Sequence, residues 1–468
     1  MTGTTDPAAA ELSDRLAAVV AELTPEQVPE PALEAAAFSL VDAVGVSLAA
    51  SGLGEGCAAF VDLVRSEGGR AESSVLGFGL RVPAAAAALA NGAMAHALDF
   101  EDAVDGAAVH PSAQVVPAVL ALAEQADADG ARTLAAIALG ADVSYRLARA
   151  AGDRMAERGW YPPPIVGAVG ATAAAAFLVG LDRRQTLDAL SLVQFQATAS
   201  GEIKYSPESI IRGVRDAFAA SAAVRSVQLA ARGVRGFDQP LEGRAGFLAA
   251  FTGERVDLRP ILTGLGTEFV GPRISFKAWP SCRGTHAFVE SALRLRAELA
   301  ADEVESVRLV GAPVNTMLAE PRAGKLAPTT AIDAKFSVLF TVATALVRGE
   351  VTLASFTADA LRDPAVLEMA RRIEFEADPA RDSAAGMTSG RTELRTRSGR
   401  TLADEVVSPL GSPAAPLPRT ALVDKFVACA AEAATPVPPE RARAMADALL
   451  SLRHRSGLRG VLGDLFAR

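Results

Sequence analysis

Long apolar stretches rich in alanine alternate with short polar segments along most of the chain, and this pattern predicts a mainly α-helical protein. Alanine is a strong helix former, and its small side chain lets helices pack closely. Apolar spacing typical of buried helices covers residues 31–50, 112–126, 130–153 and 164–181. A Ser-Pro pair at Ser206 provides an N-cap and a first-turn proline, which predict one long helix up to about Arg232.

The pattern changes at about residue 268, where short β-prone runs appear among helices. These runs are EFVGPRISFK, VESVRLV and RRIEFEAD, and TELRTRSGRTLADEVV follows them. The last run contains two alternating strands joined by Ser398-Gly399, which is typical of a β-hairpin. Helices are predicted over 285–299 and 329–348, and the chain reads as helical again after Pro418.

These patterns predict two domains, and the length agrees, because 468 residues exceed what one hydrophobic core usually holds. The predicted fold class is mainly α, with a large all-helical domain and an inserted smaller α+β domain. The predicted boundaries are 1–267 for the first part of the helical domain, 268–405 for the inserted domain, and 406–468 for a helical C-terminus that returns to the helical domain.

Charge and cysteine content narrow the possible partners and the compartment. The net charge is −9 and no basic stripe is present, which argues against nucleic acid as a partner. Cys57, Cys282 and Cys429 are widely spaced and odd in number, which fits a reducing cytosol. The uncharged segment Pro162 to Leu181 has the length of a membrane span, but its prolines, alanines and glycines favour a buried helix. We therefore expect a soluble, cytoplasmic protein with no signal peptide and no membrane partner.

The densest group of titratable residues lies in Asn91–Glu124, between two apolar helices. His96, Asp99 and Asp102 recur every three residues, so a continuing helix would place them on one face. His110 precedes a proline at the start of the next helix, where exposed N–H groups attract an anion. A histidine beside carboxylates suits proton transfer near neutral pH. The alternative is a helix-capping loop with solvated acids, and no metal is predicted because no HExxH or cysteine-rich spacing is present.

A second group of candidate residues lies in ISFKAWPSCRGTHAFVESALRL, residues 274–295. Lys277 follows a short strand, and Thr285 is expected to be the N-cap of a helix. Lys277, Arg283 and His286, with the N–H groups of that helix, would form a carboxylate-binding cradle. Cys282 is interpreted as a small packing residue. The alternative for the whole segment is a domain-hinge turn with solvated cations.

Two further segments carry charges among apolar residues. Lys204 lies in the loop SGEIKYSPE. A lone loop lysine is usually just solvated, but its position between two apolar helices strengthens the case for a functional role. Arg212 and Arg215 follow on the predicted long helix. Asp333 and Lys335, in APTTAIDAKFSVLFTVATALVRGE, are interpreted as structural, with one of the two adjacent threonines capping the helix.

The segment NGAMAHALDFEDAVDGAAVHPSAQVVPAVLALAE resembles the signature of the MmgE/PrpD family, which includes 2-methylcitrate dehydratase, cis-aconitate decarboxylase and iminodisuccinate epimerase. FKAWPSCRGTHAFVESAL, DAKFSVLFTVATAL and VVSPLGSPAAPLPRTALVDKF are similar to further blocks of that family, so the resemblance covers nearly the whole chain. It implies a homodimer in which the inserted α+β domain is a lid domain. It also implies a cofactor-free active site between the domains that acts on small di- or tricarboxylates.

The resemblance implies roles for individual residues. His110 would exchange protons at the carbon next to a carboxylate, and the lysines would hold carboxylates and stabilise enolate-like charge. Tyr161, in GWYPPPIVGAVG, stands where the family commonly has a second histidine. The predicted catalytic residues are Asp99, His110 and Tyr161. The predicted substrate-binding residues are His96, Lys204, Lys277, Arg283 and His286.

Departures from the family pattern leave the reaction open. Ala103 and Thr316 replace a threonine and a tyrosine of the decarboxylase pattern, in addition to Tyr161. The favoured prediction is a lyase that dehydrates or decarboxylates a small polycarboxylate. The second is an epimerase or isomerase of a dicarboxylate in a specialised biosynthetic pathway, which uses the same proton transfer without loss of a group. The third is a catalytically silent member that binds a carboxylate.

Overall fold

The computed structural model describes residues 12–206, 209–253, 256–299, 302–381 and 386–459. Within them the chain divides into two compact units. The first, here called the helical unit, holds the described residues of Met1–Ala97, Ala107–Ile274 and Arg419–Arg468. The second, the α+β unit, holds those of Leu98–Gly106 and Ser275–Pro418. Helices predominate in the described chain, which confirms the mainly α fold class.

In its described residues, the helical unit contains long and short helices together with a small hairpin. Its described helices are α1 (Leu12–Glu22), α2 (Glu30–Leu53), α3 (Cys57–Glu67), α4 (Ala84–His96), α5 (Pro111–Ala126), α6 (Gly130–Ala151), α7 (Arg154–Glu157), α8 (Pro162–Val179), α9 (Arg183–Val193), α10 (Ile211–Val214), α11 (Asp216–Ala230), α12 (Phe247–Thr252), α13 (Arg259–Leu262), α19 (Arg419–Ala431) and α20 (Pro439–Leu450). Strands β1 (Ser73–Val75) and β2 (Leu80–Val82) pair antiparallel.

The core of the helical unit is formed by α2, α4, α5, α6, α8 and α11, which pack against one another. Small residues permit this close packing, since a Cβ placed on Gly170 of α8 would lie 1.9 Å from the Ser144 Oγ of α6. Two helices, α2 and α8, are long and apolar enough to span a membrane, but both are mostly buried among other helices. Their burial is that of core helices, as the prolines and small residues of α8 had indicated.

The α+β unit is built on a four-stranded sheet in the order β6-β5-β7-β8. Strand β5 pairs parallel to β6 and antiparallel to β7, and β7 pairs antiparallel to β8. Its described elements are β3 (Ala103–Val104), α14 (His286–Glu298), β5 (Val304–Gly311), α15 (Arg322–Leu326), α16 (Ala331–Lys335), α17 (Val338–Arg348), α18 (Pro364–Arg371), β6 (Ile373–Ala377), β7 (Gly390–Thr396) and β8 (Thr401–Val406). Strand β4 (Ile274–Ser275) lies at the boundary of the two units in the sequence. Helices α14 and α17 contribute much of the core beside the sheet.

Several local predictions are confirmed in the α+β unit. Strands β7 and β8 form the predicted hairpin, and Gly399 adopts φ +89° in its turn. The Thr330 hydroxyl caps α16 by accepting a hydrogen bond from the backbone of Asp333. Cys282 lies in the hydrophobic core, as its interpretation as a packing residue requires.

Other local predictions are wrong, each for a physical reason. The helix to Arg232 is not continuous, because Arg215 separates α10 from α11, and its guanidinium donates to the carbonyl of Arg212 at 2.6 Å. The start predicted after Ser206 falls on residues outside those described. The run from residue 268 contains only the two-residue strand β4, since Gly271–Arg273 forms a 3₁₀ turn around a proline that cannot donate to a sheet. Helix 329–348 is divided at Ser337, whose hydroxyl caps α17.

A buried ion pair in the helical unit fixes the segment that precedes β4. Arg146 pairs with Asp142 at 2.5 Å and also donates to four backbone carbonyls, those of Ile261, Thr263, Gly264 and Glu268. Asp142 accepts a hydrogen bond from the backbone of Val270 at 3.0 Å. Burial raises the pKa of Asp142 to about 6, although the charge of Arg146 opposes this shift.

The raised pKa of Asp142 predicts that the free energy of unfolding changes with pH in the acidic range. Because the pKa of Asp142 is higher in the folded chain than the ordinary value of 3.8, the folded state binds the proton more tightly than the unfolded state. Its contribution is therefore largest below about pH 4 and declines by about 3 kcal/mol as the pH rises through about 6. Between pH 4 and 7, the free energy of urea unfolding of wild type should fall by about 3 kcal/mol more than that of Asp142→Asn. Parallel curves for the two proteins would contradict the assignment.

Candidate functional site

Two histidines face each other in the helical unit. His96 is the last residue of α4 and is fully buried, whereas His110 is the half-buried N-cap residue of α5. Their ring centroids lie 5.2 Å apart with the planes tilted by 56°. Two imidazoles at this distance can pass a proton between them directly or through one water molecule. The position of His110 before Pro111 and the N-terminus of α5 is as the sequence predicts.

Tyr161 lies beside two cations in the same unit. It is the buried N-cap residue of α8, and its backbone N–H donates to the carbonyl of Ala199 at 3.0 Å. This contact brings the loop of Lys204 next to it, so that Lys204 Nζ lies 5.6 Å from the centroid of the Tyr161 ring. The guanidinium carbon of Arg215 lies 5.0 Å from the same centroid. Both distances are typical of cation–π contacts.

The N-terminal ends of α5, α8 and α11 come together at these residues. Gln114, in the first turn of α5, donates to Asp216, the first residue of α11, at 2.5 Å. Gly167 of α8 packs against Gln114, because a Cβ placed there would lie 2.5 Å from its side-chain amide. His110, Tyr161 and Arg215 therefore occupy the N-cap positions of three mutually packed helices. Helix N-termini carry partial positive charge, which favours an anion.

In the α+β unit, Lys277 and Asp99 form a buried pair. Lys277 Nζ donates to the Asp99 carboxylate at 2.6 Å and to the Asp99 carbonyl at 2.9 Å, and the Glu101 carboxylate lies 4.0 Å away. All three side chains are at most 1 % exposed. Burial acts to lower the pKa of Lys277, but the charges of Asp99 and Glu101 outweigh it, so the pKa is raised. Lys277 is therefore an ammonium group at neutral pH.

The backbone at Asp99 is unusual. Its φ is +49°, a left-handed conformation that non-glycine residues rarely adopt. The prediction that His96, Asp99 and Asp102 share a helix face is therefore wrong, because α4 ends at His96 and the chain turns away at Asp99. Lys335, also buried, donates to the Leu98 carbonyl at 2.5 Å and helps to hold this turn. Left-handed residues held by their surroundings are concentrated at functional sites.

Arg283 and His286 lie close to each other in the α+β unit, and the contacts described below are with other residues of the same unit. The guanidinium of Arg283 binds both oxygens of Asp105, at 3.0 and 3.1 Å. His286 is buried, with Nδ1 3.3 Å from Arg283 and its ring 5.2 Å from that of Trp279. Thr285 is the N-cap residue of α14, as predicted, although its hydroxyl donates to the Cys282 carbonyl and does not cap the helix backbone. The carboxylate-binding roles of Arg283 and His286 stay predictions.

The predicted site residues thus form two sets, one within each unit. The helical unit holds His96, His110, Tyr161 and Lys204, and the α+β unit holds Asp99, Lys277, Arg283 and His286. Arg215, Glu101 and Lys335 join these sets, although the sequence did not single them out as site residues. The sequence signal that could have identified these three residues is a charged side chain within an otherwise apolar segment. Of the positions that depart from the family pattern, Ala103 is buried in β3, and Thr316 is half-buried in the 3₁₀ turn Pro313–Leu318.

Known proteins resemble this chain over most of its length. The MmgE/PrpD N-terminal domain matches residues 14–258, and the MmgE/PrpD C-terminal domain matches residues 279–451. A cis-aconitate decarboxylase-like protein, oryM, of Aspergillus oryzae is 27% identical over 418 residues, which are 84% of this chain and 85% of that protein. The cis-aconitate decarboxylase of Homo sapiens is 26% identical over 374 residues, 75% of this chain and 74% of its own. That of Aspergillus terreus is 25% identical over 430 residues, 86% of each chain. The two domain matches together span most of the sequence and confirm the resemblance read from its motifs, so this chain belongs to the MmgE/PrpD family.

Proposed function

We propose that the protein is a lyase that acts on a small di- or tricarboxylate by proton transfer at the carbon next to a carboxylate. The observation that carries the proposal is the pair of imidazoles His96 and His110, 5.2 Å apart at the N-terminus of α5. A half-buried histidine backed by a buried one is suited to exchange protons with a substrate carbon. The cis-aconitate decarboxylases among its relatives support chemistry of this class.

In a decarboxylation, the bond between carbon and the departing carboxylate breaks and CO₂ leaves. The electron pair remains on the substrate, delocalised towards a neighbouring carboxylate, and protonated His110 delivers a proton to carbon. In a dehydration, neutral His110 removes the proton from the carbon next to the carboxylate, a double bond forms, and hydroxide leaves from the adjacent carbon with a proton from an acid. We assign that acid to Tyr161. Lys204 binds a carboxylate and stabilises the charge that develops on it.

We further propose that Asp99 and Lys277 serve the same chemistry. The ammonium of Lys277, held by Asp99 and Glu101, supplies positive charge that stabilises an enolate-like intermediate. The proposal also includes four expectations from the family resemblance and the composition. The enzyme uses no cofactor, the α+β unit acts as a lid, the protein is a homodimer, and it is located in the cytoplasm. Dimerisation is checked by the mass of the purified protein in solution.

The proposal is tested by substrate trials. Purified protein is incubated with cis-aconitate, citrate and 2-methylcitrate, and the products are identified by NMR together with CO₂ release. We expect at least one acid to lose or gain water or to lose CO₂, at a rate that exceeds the reaction without enzyme by many orders of magnitude. If all three acids are recovered unchanged, the lyase proposal on this substrate class is wrong.

An epimerase is the second candidate, and Tyr161 favours it. A tyrosine in place of the second histidine provides a different acid or base beside Lys204, and two such groups on opposite faces of a carbon suffice to invert it. The expected result for an epimerase is exchange of one substrate proton with solvent, without loss of CO₂ or water. Tyr161→Phe should then lower the exchange rate about a hundredfold or more while the KM changes little. Equal exchange rates in wild type and variant would exclude this role.

A further inference from the structure

The left-handed turn at Asp99 is held by two lysines from distant parts of the sequence of the α+β unit. Lys335 Nζ donates to the Leu98 carbonyl at 2.5 Å, and Lys277 Nζ donates to the Asp99 carbonyl at 2.9 Å. The two lysines lie 237 and 178 positions after the carbonyls that they bind. Two successive carbonyls of the turn therefore each accept a hydrogen bond from a buried lysine.

The two hydrogen bonds act on the two backbone dihedrals of Asp99. Each peptide bond is a rigid plane, so the backbone of a residue rotates only about φ and ψ. The Leu98 carbonyl belongs to the plane before the Asp99 Cα, and rotation of that plane changes φ. The Asp99 carbonyl belongs to the plane after the Cα, and rotation of that plane changes ψ. Lys335 therefore restrains φ at its value of +49°, and Lys277 restrains ψ, which offsets the conformational cost of a left-handed residue.

Asp127 is the other non-glycine residue with a positive φ in the described chain, and its conformation has an ordinary cause. Its φ is +54°, it is the C-cap residue of α5, and its backbone N–H donates to carbonyls in the last turn of that helix. Left-handed residues commonly end helices in this way. Helix α4, by contrast, ends at His96 with a right-handed C-cap residue, Ala97, so the conformation of Asp99 is not part of that helix end.

Lys335 is itself held firmly by its surroundings. It is the last residue of α16 and is 2 % exposed, and its Nζ lies 5.0 Å from the centroid of the Phe356 ring. Its backbone carbonyl accepts a hydrogen bond at 3.0 Å from the N–H of Cys282, five residues after Lys277. Lys335 thus binds the turn of Asp99 through its side chain and the segment of Lys277 through its backbone. A residue locked in this way can fix the geometry of neighbouring groups.

We propose that Lys335 is a positioning residue that sets the left-handed conformation of Asp99 through the Leu98 carbonyl and thereby keeps the Asp99 carboxylate on Lys277. Lys277 Nζ binds the carbonyl and the carboxylate of Asp99 at the same time, at 2.9 and 2.6 Å. This double contact depends on the backbone conformation that places both groups towards one nitrogen, so a change in φ should break at least one of the two bonds. The proposal rests on the proposed role of Asp99 and Lys277 in the reaction and deepens it, because it names a residue that acts through this pair.

Crystal structures of variants of the full chain test the proposal without any turnover. Lys335→Met keeps most of the side-chain volume but has no donor, so the φ of Asp99 should become negative and Lys277 should lose its bond to the carbonyl or to the carboxylate of Asp99. Lys335→Gln, whose amide nitrogen is one bond closer to the backbone, covers the case in which Lys335→Met does not fold, and it should show the same change. Lys325→Met is the matched control. Lys325 Nζ donates to the Phe336 carbonyl at 2.7 Å in the same unit, and its loss should leave the turn of Asp99 unchanged.

Steady-state kinetics on the true substrate separate positioning from a purely structural role. Lys335→Met should lower kcat about tenfold to a hundredfold with little change in KM, because a displaced group costs mainly transition-state stabilisation. Lys325→Met should keep kcat within about twofold of wild type. A left-handed Asp99 with both hydrogen bonds to Lys277 in the Lys335 variants, or a displaced turn with wild-type kcat, would overturn the proposal. A displaced turn in a protein that turns over none of the three trial acids would contradict the lyase proposal and leave the control of Asp99 by Lys335 standing.

Discussion

His110→Asn should lower kcat on the true substrate by about a hundredfold to ten-thousandfold, the range typical of a lost general acid or base. Asparagine cannot take up or release a proton at neutral pH, although it can replace one imidazole nitrogen as a hydrogen-bonding group. Because His110 is half-buried at the N-terminus of α5, the substitution should change the thermal midpoint little. The measurement is kcat and KM by steady-state kinetics, together with the thermal midpoint from circular dichroism.

The chain offers a matched control for this substitution. His454 is an exposed residue of the 3₁₀ turn Leu452–His454, so His454→Asn makes the same chemical change outside the candidate site. It should leave kcat within about twofold of wild type. A His110→Asn enzyme with wild-type kcat would show that His110 does not carry the proton.

Lys277→Met should destabilise the protein by about 3–5 kcal/mol, the range for removal of one partner from a buried ion pair. Methionine fills nearly the same volume, but it leaves the carboxylates of Asp99 and Glu101 buried without the ammonium at 2.6 and 4.0 Å. The raised pKa of Lys277 means that its contribution is complete below about pH 10 and is lost only at higher pH. The measurement is the free energy of urea unfolding at pH 7.

Two further variants are needed to interpret the result for Lys277→Met. The double variant Lys277→Met with Asp99→Asn removes one of the two buried carboxylate charges and should regain part of the lost stability. Arg308→Met removes an exposed cation that pairs with Glu376 and Glu393 on the sheet, and it should leave the thermal midpoint close to that of wild type. A Lys277→Met protein as stable as Arg308→Met would mean that the buried pair does not form.

Helical periodicity is a local property of the sequence, and the long elements it predicted are present. Helices α2, α5, α6 and α8 occupy the predicted segments with small shifts at their ends, because their apolar residues face a core on nearly all sides. Interruptions at Arg215 and Ser337 could not be read from periodicity. At both positions the side chain forms a hydrogen bond with a backbone group. Whether such a hydrogen bond interrupts a helix depends on contacts with the rest of the fold.

The sequence identified most of the candidate residues one by one, but it did not identify which of them contact each other. The apolar segments around His110 and Lys204 marked these two residues as functional candidates, the strand and turn around Lys277 marked that residue, and the family resemblance added Tyr161. The contact of Lys277 with Asp99 joins residues 178 positions apart, and no local pattern specifies such a partner. The assignment of Leu98–Gly106 to the α+β unit has the same cause, since Lys277 and Lys335 hold this segment. Arg215 was predicted only to lie on the long helix, whereas its contact with Tyr161 arises from the packing of α8 against α11.

The central claim is that His110 transfers a proton to or from a substrate carbon as a polycarboxylate gains or loses water or loses CO₂. The most direct measurement is NMR of ¹³C-labelled cis-aconitate incubated in D₂O with wild type and with His110→Asn. We predict that wild type forms a product with one deuterium on carbon, either with stoichiometric release of labelled CO₂ or with addition of one molecule of D₂O, and that His110→Asn forms it at least about a hundredfold more slowly. Unchanged cis-aconitate with a wild-type protein that also leaves citrate and 2-methylcitrate unchanged, or equal deuteration of the product by both proteins, would contradict the claim.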